Sequence, residues 1–209
     1  MFQGDVRKML LIGSWFFFST FNSKRKKKTN TPMVSSVFVA GALALGAVML
    51  LRPQPNCART VPAALARPAV HVDLGHLVGN LFAFYLLSQS IQPRIGTLNY
   101  IMLIAFLWLT TALMDLVFQQ RCAVGFSAVV LGLLVWDMFD RGELKFDLTA
   151  LAVLAVTWLQ PLATGQHNVS MSGHLMGIVA GLIAVVATRA LRKRAAPEPT
   201  VVVVRTPQG

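Results

Sequence analysis

Cys122-Ala123-Val124-Gly125-Phe126-Ser127-Ala128 opens an apolar stretch that ends at Trp136, and a later apolar stretch opens with Ser172-Gly173-His174. A serine and a histidine thus each stand at the head of a membrane-length segment. Ionisable and nucleophilic side chains are rarely spent in lipid without a task, so the placement suggests nucleophile and base meeting inside a bilayer.

The rest of the chain fits a membrane setting. Its 209 residues are 55% hydrophobic and 13% charged, with mean hydropathy +0.61, too apolar for a water-soluble domain of this length. The net charge of +11 would suit nucleic acid, but the bases sit at segment ends: Lys24, Arg25, Lys26, Lys27 and Lys28 before one span, Arg189, Arg192, Lys193 and Arg194 after the last. No aromatic residues interleave with them, so they read as cytosolic anchors and not as a nucleic-acid surface.

Crossing the hydrocarbon takes about 20 apolar residues. Candidate spans fall at 33–51, 74–91, 99–118, 125–139, 148–162 and 171–189, six in all. The fourth is short, as expected of a helix that starts below the surface at the floor of a water-admitting cavity. An even number puts both termini on one side, which the basic runs assign to the cytosol. Gln92-Pro93-Arg94-Ile95-Gly96-Thr97 is expected to be a cytosolic turn, and the long 52–73 connection to lie opposite. Cys57 and Cys122 share that opposite side, where a disulfide is possible, although free buried thiols are the expectation. The run 9–21 suggests a short interfacial helix, and the proline-bearing tail after residue 195 should be disordered. The expected organisation is a basic and interfacial segment at 1–32, a membrane domain at 33–191 and a cytosolic tail at 192–209.

Four constellations carry the chemistry. Gly125-Phe126-Ser127-Ala128 puts a hydroxyl at a helix start, where backbone N–H groups lack intrahelical partners and can donate to an oxyanion. Alone, such a serine reads as an N-cap or a packing contact. His174-Leu175-Met176-Gly177-Ile178-Val179-Ala180-Gly181 sets a histidine ahead of two small residues on one face, which would let another helix approach closely. Alone, that histidine reads as a polar end residue. In His71-Val72-Asp73-Leu74-Gly75-His76-Leu77-Val78-Gly79-Asn80, His76 and Asn80 are four apart and share a face. The fourth, the Gln92–Thr97 turn, is weak by itself. Asp115, near the far end of the third span, reads as a carboxylate reaching back to water.

In these residues the chain resembles the rhomboid intramembrane serine proteases. The resemblance runs over about 33–191 and lies in the His76/Asn80 spacing, the Gly-x-Ser opening of the fourth span and the His-x-x-Gly-x-x-x-Gly of the sixth. It implies an all-α, six-helix membrane bundle, with Ser127 as nucleophile and His174 as general base. It further implies an oxyanion hole of His76, Asn80 and the Ser127 N–H, with His71 a further polar position at the rim. Gly125, Gly177 and Gly181 are the implied helix-packing positions. Ala128 stands where a second glycine is commonest, and the 52–70 connection lacks the tryptophan-arginine pair of some bacterial members. The implied activity is serine endopeptidase cleavage of transmembrane substrates within the lipid bilayer, with no cofactor, no metal and no nucleic acid. Residues 122–127 look most like endoplasmic-reticulum members, so an endomembrane is expected ahead of the mitochondrial inner membrane. The rivals are a catalytically inactive rhomboid-like binder of membrane clients, and a small channel, which would call for inverted repeats that are not seen.

Overall fold

The structure is a computed structural model that describes residues 35–51, 57–118, 124–140, 150–155, 157 and 171–195. All of its described regular structure is helical: α1 (Ser36–Leu51), α2 (Val61–Ala66), a 3-10 turn (Arg67–Ala69), α3 (Leu74–Ile95), α4 (Thr97–Phe118), α5 (Ser127–Asp140) and α6 (Met171–Ala195). Residues 150–155 are helical too. The expected interfacial helix at 9–21, the basic run 24–28, most of the fifth span, Cys122 and the tail beyond residue 195 lie outside the described residues, whereas 192–195, expected to begin the tail, continue α6.

By length and composition α4, and α6 over Met171–Lys193, can each cross a membrane. A third candidate is α2 with its 3-10 turn plus α3, bent by 80° between them. Helix α5 has 14 residues, about 21 Å at 1.5 Å per residue, well short of a hydrocarbon core of about 30 Å. Its short length follows from its place. Val129 to Leu134, Trp136 and Asp137 are all buried, so α5 is apolar all round and forms the axis on which α3, α4 and α6 pack. The outer faces carry exposed Leu43, Leu50, Val78, Phe82, Ile101, Val117, Leu175 and Val186, the inverse of a water-soluble surface and suited to lipid.

Polar contacts mark one end of the bundle. Arg94 at the end of α3 pairs with Asp137 of α5, Ser90 Oγ donates to Asp137 at 3.0 Å, and Arg192 of α6 meets Asp140 at 2.6 Å. Arg94 also stands over the Trp136 ring, 5.8 Å from its centroid, while Trp136 Nε1 donates to Thr188 Oγ1 at 3.3 Å. The same end holds the start of α1, where Ser35 bonds Gln92. Helices α3, α5 and α6 therefore run side by side in the same direction, and α1 and α4 run against them.

Two expectations change here. Gln92-Pro93-Arg94 is not a turn: α3 continues through it to Ile95. Pro93 falls in the last turn, where it forfeits the bond to the Gln89 carbonyl but has almost no helix beyond it to kink. The reversal is made by Gly96 alone, whose φ of +83° suits glycine and whose N–H donates to Gln92 O at 2.9 Å. Cys57 is not a free thiol but disulfide-bonded; the sequence holds one other cysteine, Cys122.

Candidate active site

Asp73 starts α3 as its N-cap, its carboxylate accepting the His76 N–H at 2.8 Å. That cap fixes where the helix begins, and so where His76 and, one turn deeper, Asn80 stand. His76 is half-buried. Asn80 is buried, and its Nδ2 has no hydrogen-bond partner among the described residues. An orphaned buried donor costs about 1–3 kcal/mol, so such groups call for a reason.

Gly125 lies directly on His76. Its φ is +109°, and a Cβ there would stand 2.7 Å from His76 Cε1, so both backbone and space demand glycine. Two successive N–H groups of this turn are held from the α2–α3 connection: Gly125 N donates to Arg67 O at 3.1 Å, and Phe126 N to His71 Nε2 at 3.3 Å. Because Nε2 accepts, the proton of a neutral His71 sits on Nδ1, which faces Ala69 O at 3.1 Å. His71 lies in the link between the 3-10 turn and α3, outside the helices, where burial and then the charge of His76 push its pKa down to about 4. The Phe126 ring wedges against Phe84 and Trp108, with centroids 5.1 and 5.8 Å away. Ser127, half-buried, is the first residue of α5.

Helix α6 reaches this turn through its small residues. A Cβ on Gly177 would overlap the carbonyl of Ala128, and one on Gly181 would come within 2.7 Å of the Gly132 carbonyl. Both contacts carry the same offset of 49 residues, so α5 and α6 lie parallel with backbones touching. Carried back one turn, that register sets His174 level with the Gly125–Ser127 turn. His174 is buried, and the His76 ring lies 5.4 Å from that of His71. His71, His76, Gly125 and His174 thus gather at one end of the bundle, with Ser127 on the turn between them. Among the described residues no group of three His, Cys, Asp or Glu side chains is placed to hold a metal ion.

With this geometry in hand, comparison with known proteins places the chain. The rhomboid domain family matches residues 58–190. The chain belongs to the rhomboid family. It is also 32% identical over 128 residues to a protein of Acanthamoeba polyphaga mimivirus named, provisionally, as a rhomboid protein, a match covering 58% of this chain and 72% of that one. Like other rhomboid-family chains it is read as an integral membrane protein, consistent with its apolar helices.

Sequence reasoning misread Asp115 and gave Arg67 no role at this site. Asp115 does not reach for water: it is buried and paired with Arg67, whose Nη2 also donates to Ala58 O at 2.7 Å. The signal was present, since an acid at membrane depth asks for a cationic partner, and the 52–73 connection on the same side offers Arg52, Arg59 and Arg67.

Proposed function

We propose that this rhomboid-family chain is an intramembrane serine endopeptidase working through a Ser127–His174 dyad. The observation that carries the reading is the parallel, backbone-to-backbone packing of α5 and α6, which sets position 174 level with the start of the helix that begins at Ser127. His174 takes the Ser127 Oγ proton as Oγ attacks the scissile carbonyl carbon, and the oxygen of that carbonyl becomes an oxyanion. His174 then gives the proton to the departing amine as the C–N bond breaks, leaving an acyl-enzyme. Water, deprotonated by the same imidazole, releases the acid and restores Ser127.

The oxyanion is held by His76, Asn80 and the N–H of Ser127. The Asn80 Nδ2, which meets no acceptor among the described residues, supports this reading, because such a donor is ready for a substrate oxygen. The N–H groups of Gly125 and Phe126 are already committed to Arg67 and His71, which leaves Ser127 N–H as the first candidate on α5. His71 acts by holding the turn. The substrates are transmembrane segments of other membrane proteins, cut where the helix is weak enough to unwind, since the peptide bonds of an intact helix are closed to attack. The domain is a six-span bundle over residues 33–191 in an endomembrane such as the endoplasmic reticulum.

The test is labelling of the detergent-solubilised protein with a fluorophosphonate probe. Wild type is expected to label and Ser127→Ala not to label. Equal labelling of the two, or none of either, would leave an inactive family member that binds membrane clients.

A further inference from the structure

The turn that presents Ser127 is held in part by its own helix, where Val130 N–H donates to Phe126 O at 3.1 Å, and in part from outside. Gly125 sits at positive φ, a conformation glycine visits freely but does not prefer strongly, and its N–H is held from outside by the Arg67 carbonyl. That carbonyl belongs to a three-residue 3-10 turn, a short element of poor hydrogen-bond geometry. Backbone bonds hold it at both sides, Arg67 N–H to Ala63 O and Val70 N–H to Arg67 O, and the arginine's own side chain adds a third hold. The guanidinium is planar and always charged, and here it is gripped from two directions, by the Asp115 carboxylate of α4 and by the Ala58 carbonyl next to disulfide-bonded Cys57. Both members of the ion pair are buried, with side chains 7% and 9% exposed.

We propose that the Arg67–Asp115 ion pair is the device that positions the Gly125–Ser127 turn against His76, making Arg67 and Asp115 positioning residues for acyl transfer at Ser127. The inference rests on the protease reading of Ser127 for its effect on rate, but its structural claim is separate. A role in stability alone accounts poorly for the pair, because replacing a buried ion pair by apolar side chains of similar volume is often neutral or stabilising. Position is different: a misplacement of about 1 Å at a reacting centre can cost about a hundredfold in rate.

The decisive variant is the double substitution Arg67→Met with Asp115→Leu, which removes the pair without leaving a lone buried charge. Two readouts are taken on the full-length protein in detergent: the maximal rate and half-saturating concentration of fluorophosphonate labelling, and hydrogen exchange of the Gly125 and Phe126 amides. The expected result is a thermal midpoint close to wild type, a maximal labelling rate down roughly ten- to a hundredfold at unchanged half-saturation, and faster exchange at both amides. Arg67→Lys, which keeps the charge but cannot grip two acceptors in a plane, is expected to fall between, and serves the same readouts should the double variant not fold. Wild-type labelling rate together with unchanged amide exchange in the folded variants would overturn the proposal. Should wild type itself fail to label, the protease reading falls, and the exchange of the two amides alone decides the positioning claim.

Discussion

Asn80 buries an amide donor that no described protein acceptor meets, and that arrangement makes opposite demands on stability and rate. Asn80→Ala is expected to slow fluorophosphonate labelling about 10²- to 10³-fold while leaving the thermal midpoint unchanged or higher, because the orphan donor disappears. A drop in both would make Asn80 a structural residue. His71 predicts a pH effect. Its pKa is depressed from 6.5 to about 4 by burial and by His76, so on acidification the unfolded chain takes up this proton before the folded one does. Stability from His71 is present above about pH 6.5 and drains away as pH falls towards 4, when protonation of Nε2 sets a donor against the Phe126 N–H. His71→Gln should therefore show a shallower loss of thermal midpoint between pH 6.5 and 4 than wild type; parallel curves would remove His71 from that role. His71 was legible in the sequence as a polar residue at the site but not as the acceptor for Phe126, since that bond joins residues 55 apart in sequence.

Among the helices the closest fit is that of α5 and α6, where glycine and alanine replace side-chain contact by backbone contact. Gly177→Val has no room against Ala128 and is expected to abolish labelling and cost about 1–3 kcal/mol or more by overpacking. Gly46→Ala, on α1 with nothing within 4 Å of the added methyl, should instead stabilise by about 0.5–1 kcal/mol, leave labelling alone and serve as the control. Guanidine-free thermal melts with and without the probe measure both. The spacing of Gly177 and Gly181 was readable as a face that another helix could approach. Which helix it meets depended on a residue of that other helix, Ala128, that nothing on α6 names. The end of α3 was misread for a related reason: a proline usually marks a boundary, but Pro93 comes so late that the helix absorbs it, and Gly96 makes the turn.

Across the whole molecule the charges sort to two ends. Arg94, Asp137, Asp140 and Arg192 bind the ends of α3, α5 and α6 together, and the site, Arg67, Asp115 and Cys57 lie at the other. On the topology proposed from the basic residues flanking α1 and α6, the first end is cytosolic under the positive-inside rule and Cys57 belongs to the non-cytosolic side, where a disulfide persists. In sealed microsomes a membrane-impermeant PEG-maleimide is expected to leave Cys57 unmodified until the membrane is opened and the disulfide reduced. Modification without reductant would mean that the thiol is free, and modification after reduction of the intact vesicles' outer face would invert the orientation.

Composition and the length of the apolar runs marked this chain for lipid, because 13% charged residues fall well below the roughly 25% of soluble domains. Local spacing singled out the candidate residues, since His76 and Asn80 share a helix face through the 3.6-residue period, and Ser127 opens a helix wherever that helix is packed. Tertiary structure alone decided the company these residues keep. The parallel register of α5 and α6, the pairing of Asp115 with Arg67 and the capture of the Gly125 and Phe126 amides join segments far apart in sequence. Contacts of that kind depend on shape and charge at both partners together, and no local pattern contains them.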